Sequence, residues 1–429
     1  MRYRKQLFFI FLLISVNLYG QEVFKDTLKI SLQQADSIFI SQNLSLLSEK
    51  CNISAVKAQI IQAKLFTNFT IAATQNIINT EYKTNGGRKW IDFTDKGETS
   101  AQIQKLFRLA GKRNKQIQLA ELTANREEQV YFDLLRTLKF SLRSDFYNLF
   151  FLRQILKVYD KEIASMHKLI EAYQSQFEKG FISKKELLRL KSSLFSLENE
   201  RIGYSSQLIG VQNDFNIMLH TSNVFYLPQF EANAAIKFSP SDLKLQALID
   251  TAYIHRYDLK MAQSDLSINK INLAYQKSVA VPDLTLSAGW DRNGSFVHNY
   301  NFIGMQIDLP FFNRNQGNIK TAKFIVESSK YKIQSTEDQV KYDVLGAYAN
   351  AIETNQLFNK FDNTFLADLD ELNNEMLKNF EKRNISLIEF LDYYDAYKEN
   401  AVQLNTLLYN RINAFENLNF SIGKDIIIK

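Results

Sequence analysis

Two stretches of this chain are near copies. FEKGFISKKELL, from Phe177 to Leu188, and FEKRNISLIEFL, from Phe380 to Leu391, agree at seven of twelve positions and lie 203 residues apart. A repeat of that span favours two halves sharing one core over a string of independent domains. In each copy a helical pattern stops, turns and restarts at a Ser with a Glu three positions on: Ser183 with Glu186, and Ser386 with Glu389. That spacing is a capping box, in which the Ser oxygen and the Glu carboxylate satisfy two otherwise orphan amides at a helix start. Each copy therefore predicts helix, tight turn and antiparallel helix, with turns at about 179–183 and 382–386. Gly180 is free to take the left-handed conformation that ends the first helix. The second copy has Arg383 and Asn384 there, and Asn is the one comfortable with positive φ.

Proline usage supports long helices around these turns. All four Pro (Pro228, Pro240, Pro282, Pro310) fall between residues 228 and 310, so elsewhere no residue of the kind that most disrupts a helix interior is present. The first 20 residues read as a secretory signal peptide: Arg2, Arg4 and Lys5, an apolar run from Leu7 to Val16, then a polar break ending at Gly20. Its removal lowers the net charge from +6 to +3, a balance that gives no footing for nucleic acid. The single Cys51 cannot form an internal disulfide.

Read in order, Leu28 to Lys64 shows helical spacing broken near Asn43, giving two helices. From Phe66 the period changes to two: Phe69, Ile71 and Ala73 alternate with Thr70, Ala72 and Thr74, and a second alternating run covers Ser100 to Lys105. A hairpin is expected at about 66–105, with a long loop. Helical spacing resumes at Leu106 and continues to Glu178, then returns from the Ser183 turn to about Leu219. This first repeat spans 21–227, and 228–241 is a linker. The second repeat, 242–429, follows the same order. Leu243 to Ser278 is helical, a hairpin occupies about 281–310, and a second rod runs to Phe380 before the final helix. In that hairpin Leu284, Leu286, Ala288 and Trp290 share one face, and Ile303, Met305, Ile307 and Leu309 alternate on the return.

Each half thus inserts two short strands with one apolar face between long helices. Four strands cannot close a barrel, and an open sheet edge in lipid leaves backbone groups unsatisfied at several kcal/mol each. Two copies would give eight strands and a bore filled by side chains, whereas three give twelve and leave room for a channel. A trimer is the expectation if the strands enter a membrane. Trp90 and Trp290 lie near strand or loop ends, where interfacial anchoring is the expected role.

This layout resembles the TolC-like outer-membrane efflux proteins. The marks are the two tip segments, the strand opening VPDLTL, and the strand-to-helix junction LPFFNRNQGNIKTA from Leu309 to Ala322, which looks most like the heavy-metal-efflux branch. The resemblance implies a mainly α fold with a small membrane β-barrel portion: a homotrimer forming a 12-stranded barrel continued by a periplasmic α-helical barrel. It implies an exit duct in the outer membrane of a Gram-negative bacterium, extending into the periplasm. Its partners would be a periplasmic adaptor, an inner-membrane pump of the resistance-nodulation-division type, and outer-membrane lipid. It also implies that Gly180, Phe181, Arg383 and Asn384 dock the adaptor, and that Asp392, Glu389 and Glu186 form an acidic ring at the entrance. Arg189, standing where the second repeat has Asp392, would supply a gate salt bridge.

Glu389 is already accounted for as a capping residue, so Asp392, which has no such local use, is the better ring candidate. The 33 Phe and 20 Tyr, at helical spacing, read as packing between rods. No enzyme is expected: the four His are scattered, HExxH and CxxC are absent, and no Gly-rich phosphate loop precedes a helix. No metal site or cofactor is expected. Two alternatives remain, a type I protein-secretion exit duct and a non-channel periplasmic coiled-coil scaffold that would need no lipid-facing strands.

Overall fold

The computed structural model describes residues 26–75, 98–230, 239–292, 297–360 and 365–426. The signal-like segment and Trp90 lie outside the described residues. The chain divides into two compact units.

The first unit gathers residues up to Leu47 with Leu135–Ala252 and Asp343–Lys429. Strand β1 (Asp26–Ile30) pairs in parallel with β4 (Val224–Pro228). The periodicity placed Leu28–Ile30 in a helix and gave Val224–Leu227 no element, because a parallel pair joining segments so far apart leaves no local mark on either. After β1, Ser31 caps α1 (Leu32–Gln42) with a full capping box to Gln34. Asn43 then breaks the helix and caps α2 (Leu44–Lys64): its Oδ1 accepts from the Leu46 amide at 3.1 Å while its Nδ2 donates to the Met218 carbonyl at 2.9 Å.

Helix α3 (Lys112–Glu178) is 67 residues, about 100 Å of helix by its rise. It begins at Lys112 rather than at Leu106 because strand pairing holds the backbone extended through Phe107. Helix α4 (Lys184–Leu219) returns from the first turn. The second half divides its helices more finely than the periodicity suggested. α5 (Leu245–His255) and α6 (Tyr257–Val279) part at Arg256, which is extended and ion-paired to Asp258. α7 (Gln316–Asn359) ends well before α8 (Phe365–Glu381), and α9 (Leu387–Ile422) closes the chain.

A buried cation helps fasten the first unit. Arg143 on α3 lies 3.0 Å from Asp36, 3.1 Å from Glu416 and 3.3 Å from Asp425, so one side chain joins α1, α3, α9 and the segment after α9. These carboxylates hold Arg143 charged against the cost of its burial.

The second unit comprises Ser48–Leu134 and Tyr253–Tyr342. It carries a four-stranded antiparallel sheet in the order β2 (Phe69–Gln75), β3 (Thr99–Phe107), β5 (Leu284–Asp291), β6 (Tyr300–Ile307). Hairpins β2–β3 and β5–β6 come from different halves, and β3–β5 is the seam between them. Asp283 pins that seam. One oxygen accepts from the Leu109 amide at 2.9 Å and from Lys112 Nζ at 2.7 Å, and Lys112 also donates to the Val281 carbonyl at 2.8 Å. The VPDLTL opening therefore serves as a clamp between strand β5 and the start of α3.

Candidate functional site

Pairing register decides what each face of the sheet presents. Across the four strands, Ile71, Ile103, Ala288 and Ile303 lie side by side, and so do Phe69, Lys105, Leu286 and Met305. On the opposite face the neighbours are Thr70, Gln104, Ser287 and Gly304, with Ala72, Gln102, Gly289 and Phe302 in the next row. A slip of one residue at any seam would mix these sets. One face is thus apolar and the other mostly polar or small. The apolar face is bare: Ile71 is 75%, Met305 70% and Ile303 90% exposed. Its single charge, Lys105, sits near a strand end with its ammonium 4.2 Å from the centre of the Phe69 ring.

On the polar face, Gly289 has a steric reason. A Cβ there would fall 2.5 Å from the Phe302 ring and 2.9 Å from the Ala101 carbonyl, so glycine lets that ring lie flat across β5. Trp290 sits on the apolar face, one residue from the end of β5. Among the described residues no helix is long and apolar enough to cross a membrane.

The two turns belong to the first unit and are built alike. In the first, Gly180 at φ +78° donates to the Phe177 carbonyl and Phe181 donates to that of Gln176, both at 2.9 Å. In the second, Arg383 donates to Phe380 and Asn384 to Asn379, also at 2.9 Å. These are paired Schellman motifs. Arg383, not Asn384, takes the left-handed conformation, at φ +62°. Its position in the hydrogen-bond pattern fixes this, and its guanidinium donates to Gln176 Oε1, tying the second turn to the helix that ends in the first.

Both capping boxes close. Glu186 accepts the Ser183 amide at 3.0 Å, and Glu389 accepts the Ser386 amide at 2.9 Å. The Ser386 amide and then its hydroxyl hold the Glu389 pKa below the usual carboxylate range, so this exposed group stays anionic. Behind the turns, Tyr173, Phe380, Phe390 and Tyr394 stack in series, with Phe380 and Phe390 4.3 Å apart and 8° from parallel. They belong to one core with Ile155, Met166, Leu190 and Leu391, so these aromatics pack rod against rod.

Gly180, Phe181, Arg383 and Asn384 are all exposed, as are Asp392 and Arg189. The Asp392 side chain makes no hydrogen bond or ion pair among the described residues. The structure adds two carboxylates that the repeat alignment did not single out. Asp395 and Glu399 are exposed on the next turns of α9 and follow Asp392 at helical spacing, with Asp395 3.5 Å from Lys398. The start of α4 carries exposed Lys184, Lys185, Arg189 and Lys191. Reading charge along each helix, rather than along the aligned motif, would have found both sets. No cluster of His, Cys, Asp or Glu among the described residues is arranged to hold a metal ion.

No protein-family model matches the chain. The cobalt-zinc-cadmium resistance protein CzcC of Cupriavidus metallidurans is 22% identical over 299 residues, covering 68% of this chain and 66% of the relative, just under two thirds of its length. Structures of CusC, described in terms of folding and transmembrane channel formation, superpose with a TM-score of 0.74 at 15% identity, covering 95% of this chain and 96% of theirs. The chain has the TolC-like fold. The Campylobacter jejuni CmeC outer membrane channel gives the same TM-score at 12% identity, covering 91% of this chain and 85% of that one. The TolC-like likeness therefore runs through both repeats, and the CusC and CmeC structures are described as channels.

Proposed function

We propose that the chain is the outer-membrane exit duct of a tripartite efflux system in a Gram-negative bacterium, passively conducting substrate delivered by an inner-membrane pump. The observation that carries this reading is the register-matched separation of apolar and polar side chains across four strands, in a sheet whose outer strands β2 and β6 each have an edge unpaired among the described residues. A bare apolar face of that size is untenable in water and suits lipid, while the polar face suits an aqueous bore. A periplasmic scaffold has no use for such a sheet, so the duct is favoured. Three copies make a twelve-stranded wall wide enough to conduct.

The likeness to CzcC favours metal cations or other small solutes over secreted protein as cargo. A periplasmic adaptor would dock on the turns at Gly180, Phe181, Arg383 and Asn384, linking the duct to a pump of the resistance-nodulation-division type. Threefold repetition of Asp392, with Glu389 and Glu186, would concentrate negative potential at the entrance. Arg189 would pair with an acidic neighbour when that entrance closes, and Trp290 would anchor at the membrane interface.

The test is the protein mass of detergent-extracted protein by light scattering, followed by conductance in planar bilayers. A mass three times that of one copy, with ion-conducting steps, is expected. A single copy that needs no detergent would overturn the reading. In the same bilayers Asp392→Ala should weaken block by divalent cations about tenfold, a loss of about 1.4 kcal/mol. Unchanged block would remove Asp392 from the ring.

A further inference from the structure

Where strand β3 runs toward α3, the sheet ends in a charged cleft. It holds about 350 Å³ and is lined by apolar Leu65, Phe66 and Phe107 together with Lys105, Arg108 and Arg113. Lys105 and Phe107 pair with Leu286 and Leu284, so they belong to the apolar face and the cleft opens at the end of it. Phe66 is 71% exposed and Phe69, opposite Lys105, 59%.

The three cations have no carboxylate among them. No Asp or Glu lines the cleft, and none of the three makes an ion pair among the described residues. Asp283, which accepts from the Leu109 amide at the rim, is already held by Lys112. The Lys105 ammonium leans on the Phe69 ring, and Arg108 Nη1 donates to Gln116 Oε1 at 2.8 Å. The Arg113 guanidinium lies 4.0 Å from the Phe66 ring centre and donates to the Lys64 carbonyl, while its Nε has no hydrogen-bond partner among the described residues. Three like charges gathered without an acid, with donors to spare, call for an anion.

The second repeat lacks this set. Leu284 faces Ile307 as Phe69 faces Lys105, so Ile307 stands where β3 has Lys105. Three residues on, Pro310 stands where the first repeat has Arg108. A basic girdle that only marks depth in a membrane would recur on both hairpins. A cluster confined to one is the mark of a site.

We propose that this cleft holds the phosphate of an anionic glycerophospholipid, whose acyl chains lie along the bare apolar face past Phe69 and Ile71. The inference rests on the duct reading, which puts that face in lipid, and it names the lipid chemistry met at the end of the sheet. The planar forks of Arg108 and Arg113 suit phosphate oxygens, and Lys105 adds a point charge on an apolar stem. A free phosphate would gain nothing from Leu65, Phe66 and Phe107. A lipid uses both halves of the cleft, its headgroup filling a volume too small for the whole molecule while its chains stay on the sheet.

Native mass spectrometry of the full-length, detergent-extracted protein tests this with three additives: phosphatidylglycerol, diacylglycerol with the same chains, and inorganic phosphate. About one phosphatidylglycerol per chain should be retained, at least about fivefold more than diacylglycerol. Lys105→Gln combined with Arg108→Gln should lower that retention about tenfold, and Lys330→Gln, an exposed lysine on α7, should not. Equal retention of the two lipids by a trimer overturns the site while leaving the duct intact, whether or not the double variant assembles. So does a double variant that assembles and binds as the native chain does. Retention of inorganic phosphate without preference for the lipid overturns the lipid assignment. A single-copy mass without detergent overturns the duct reading, and this inference with it.

Discussion

Gly180 and Arg383 occupy the same left-handed position of the same motif, and the residue types set different costs. Nothing lies within 4 Å of a Cβ built on Gly180, so Gly180→Ala meets only backbone strain. It should lower unfolding stability by about 1 kcal/mol, read as a drop in the thermal midpoint in detergent. Arg383→Gly should be nearly neutral, within about 1 kcal/mol, because relief of strain is offset by the lost hydrogen bond to Gln176 and a more flexible unfolded chain. A second residue, Asp145 on α3, gives a pH signature. Burial, and next the Asp214 carboxylate, push its pKa from 3.8 up to about 7. The folded state then holds a proton that the unfolded chain has released, so this group's contribution falls as pH rises from about 4 to 7 and is flat above. Asp145→Asn should therefore gain on the native protein across that window, by at most about 4 kcal/mol. A thermal-midpoint difference that is the same at pH 4.5 and pH 8 would contradict this.

At the scale of elements, local signals were legible and non-local ones were not. Ser183 with Glu186 and Ser386 with Glu389 could be read from spacing alone, because a capping box is complete within four residues. The alternation in β5 and β6 was equally plain. Strand β1 was hidden because its partner β4 lies far along the chain, and the β3–β5 seam was hidden because alternation shows a face without naming a neighbour. Asp283 illustrates the gap: its motif marked a likeness, while its bond to Lys112 across the seam needed the fold. Asp283→Ala would leave the largely buried Lys112 ammonium with only a carbonyl partner. It should cost about 2–3 kcal/mol, a discount on a fully buried pair because Asp283 is partly exposed. Urea titration in detergent measures it, and Asp283→Asn, which keeps the acceptor for the Leu109 amide, should recover part of the loss.

For the whole molecule, the fold class could be anticipated from the duplicated order of helices and hairpins, whereas the charge beside the turns could not be read fully. The family resemblance led to Asp392 and passed over Asp395 and Glu399, whose counterparts in α4 are Ser192 and Ser196. The two halves share a backbone plan and diverge in surface charge. The edges of β2 and β6, unpaired among the described residues, carry a consequence for heredity. If each ring draws one edge from each neighbour, a subunit with a damaged edge spoils any ring it joins. Made in equal amounts with the native chain, it would leave only about one ring in eight free of defects. A mutation of that kind, harmless to the folding of its own helices, would behave as dominant in a cell that still carries the intact gene.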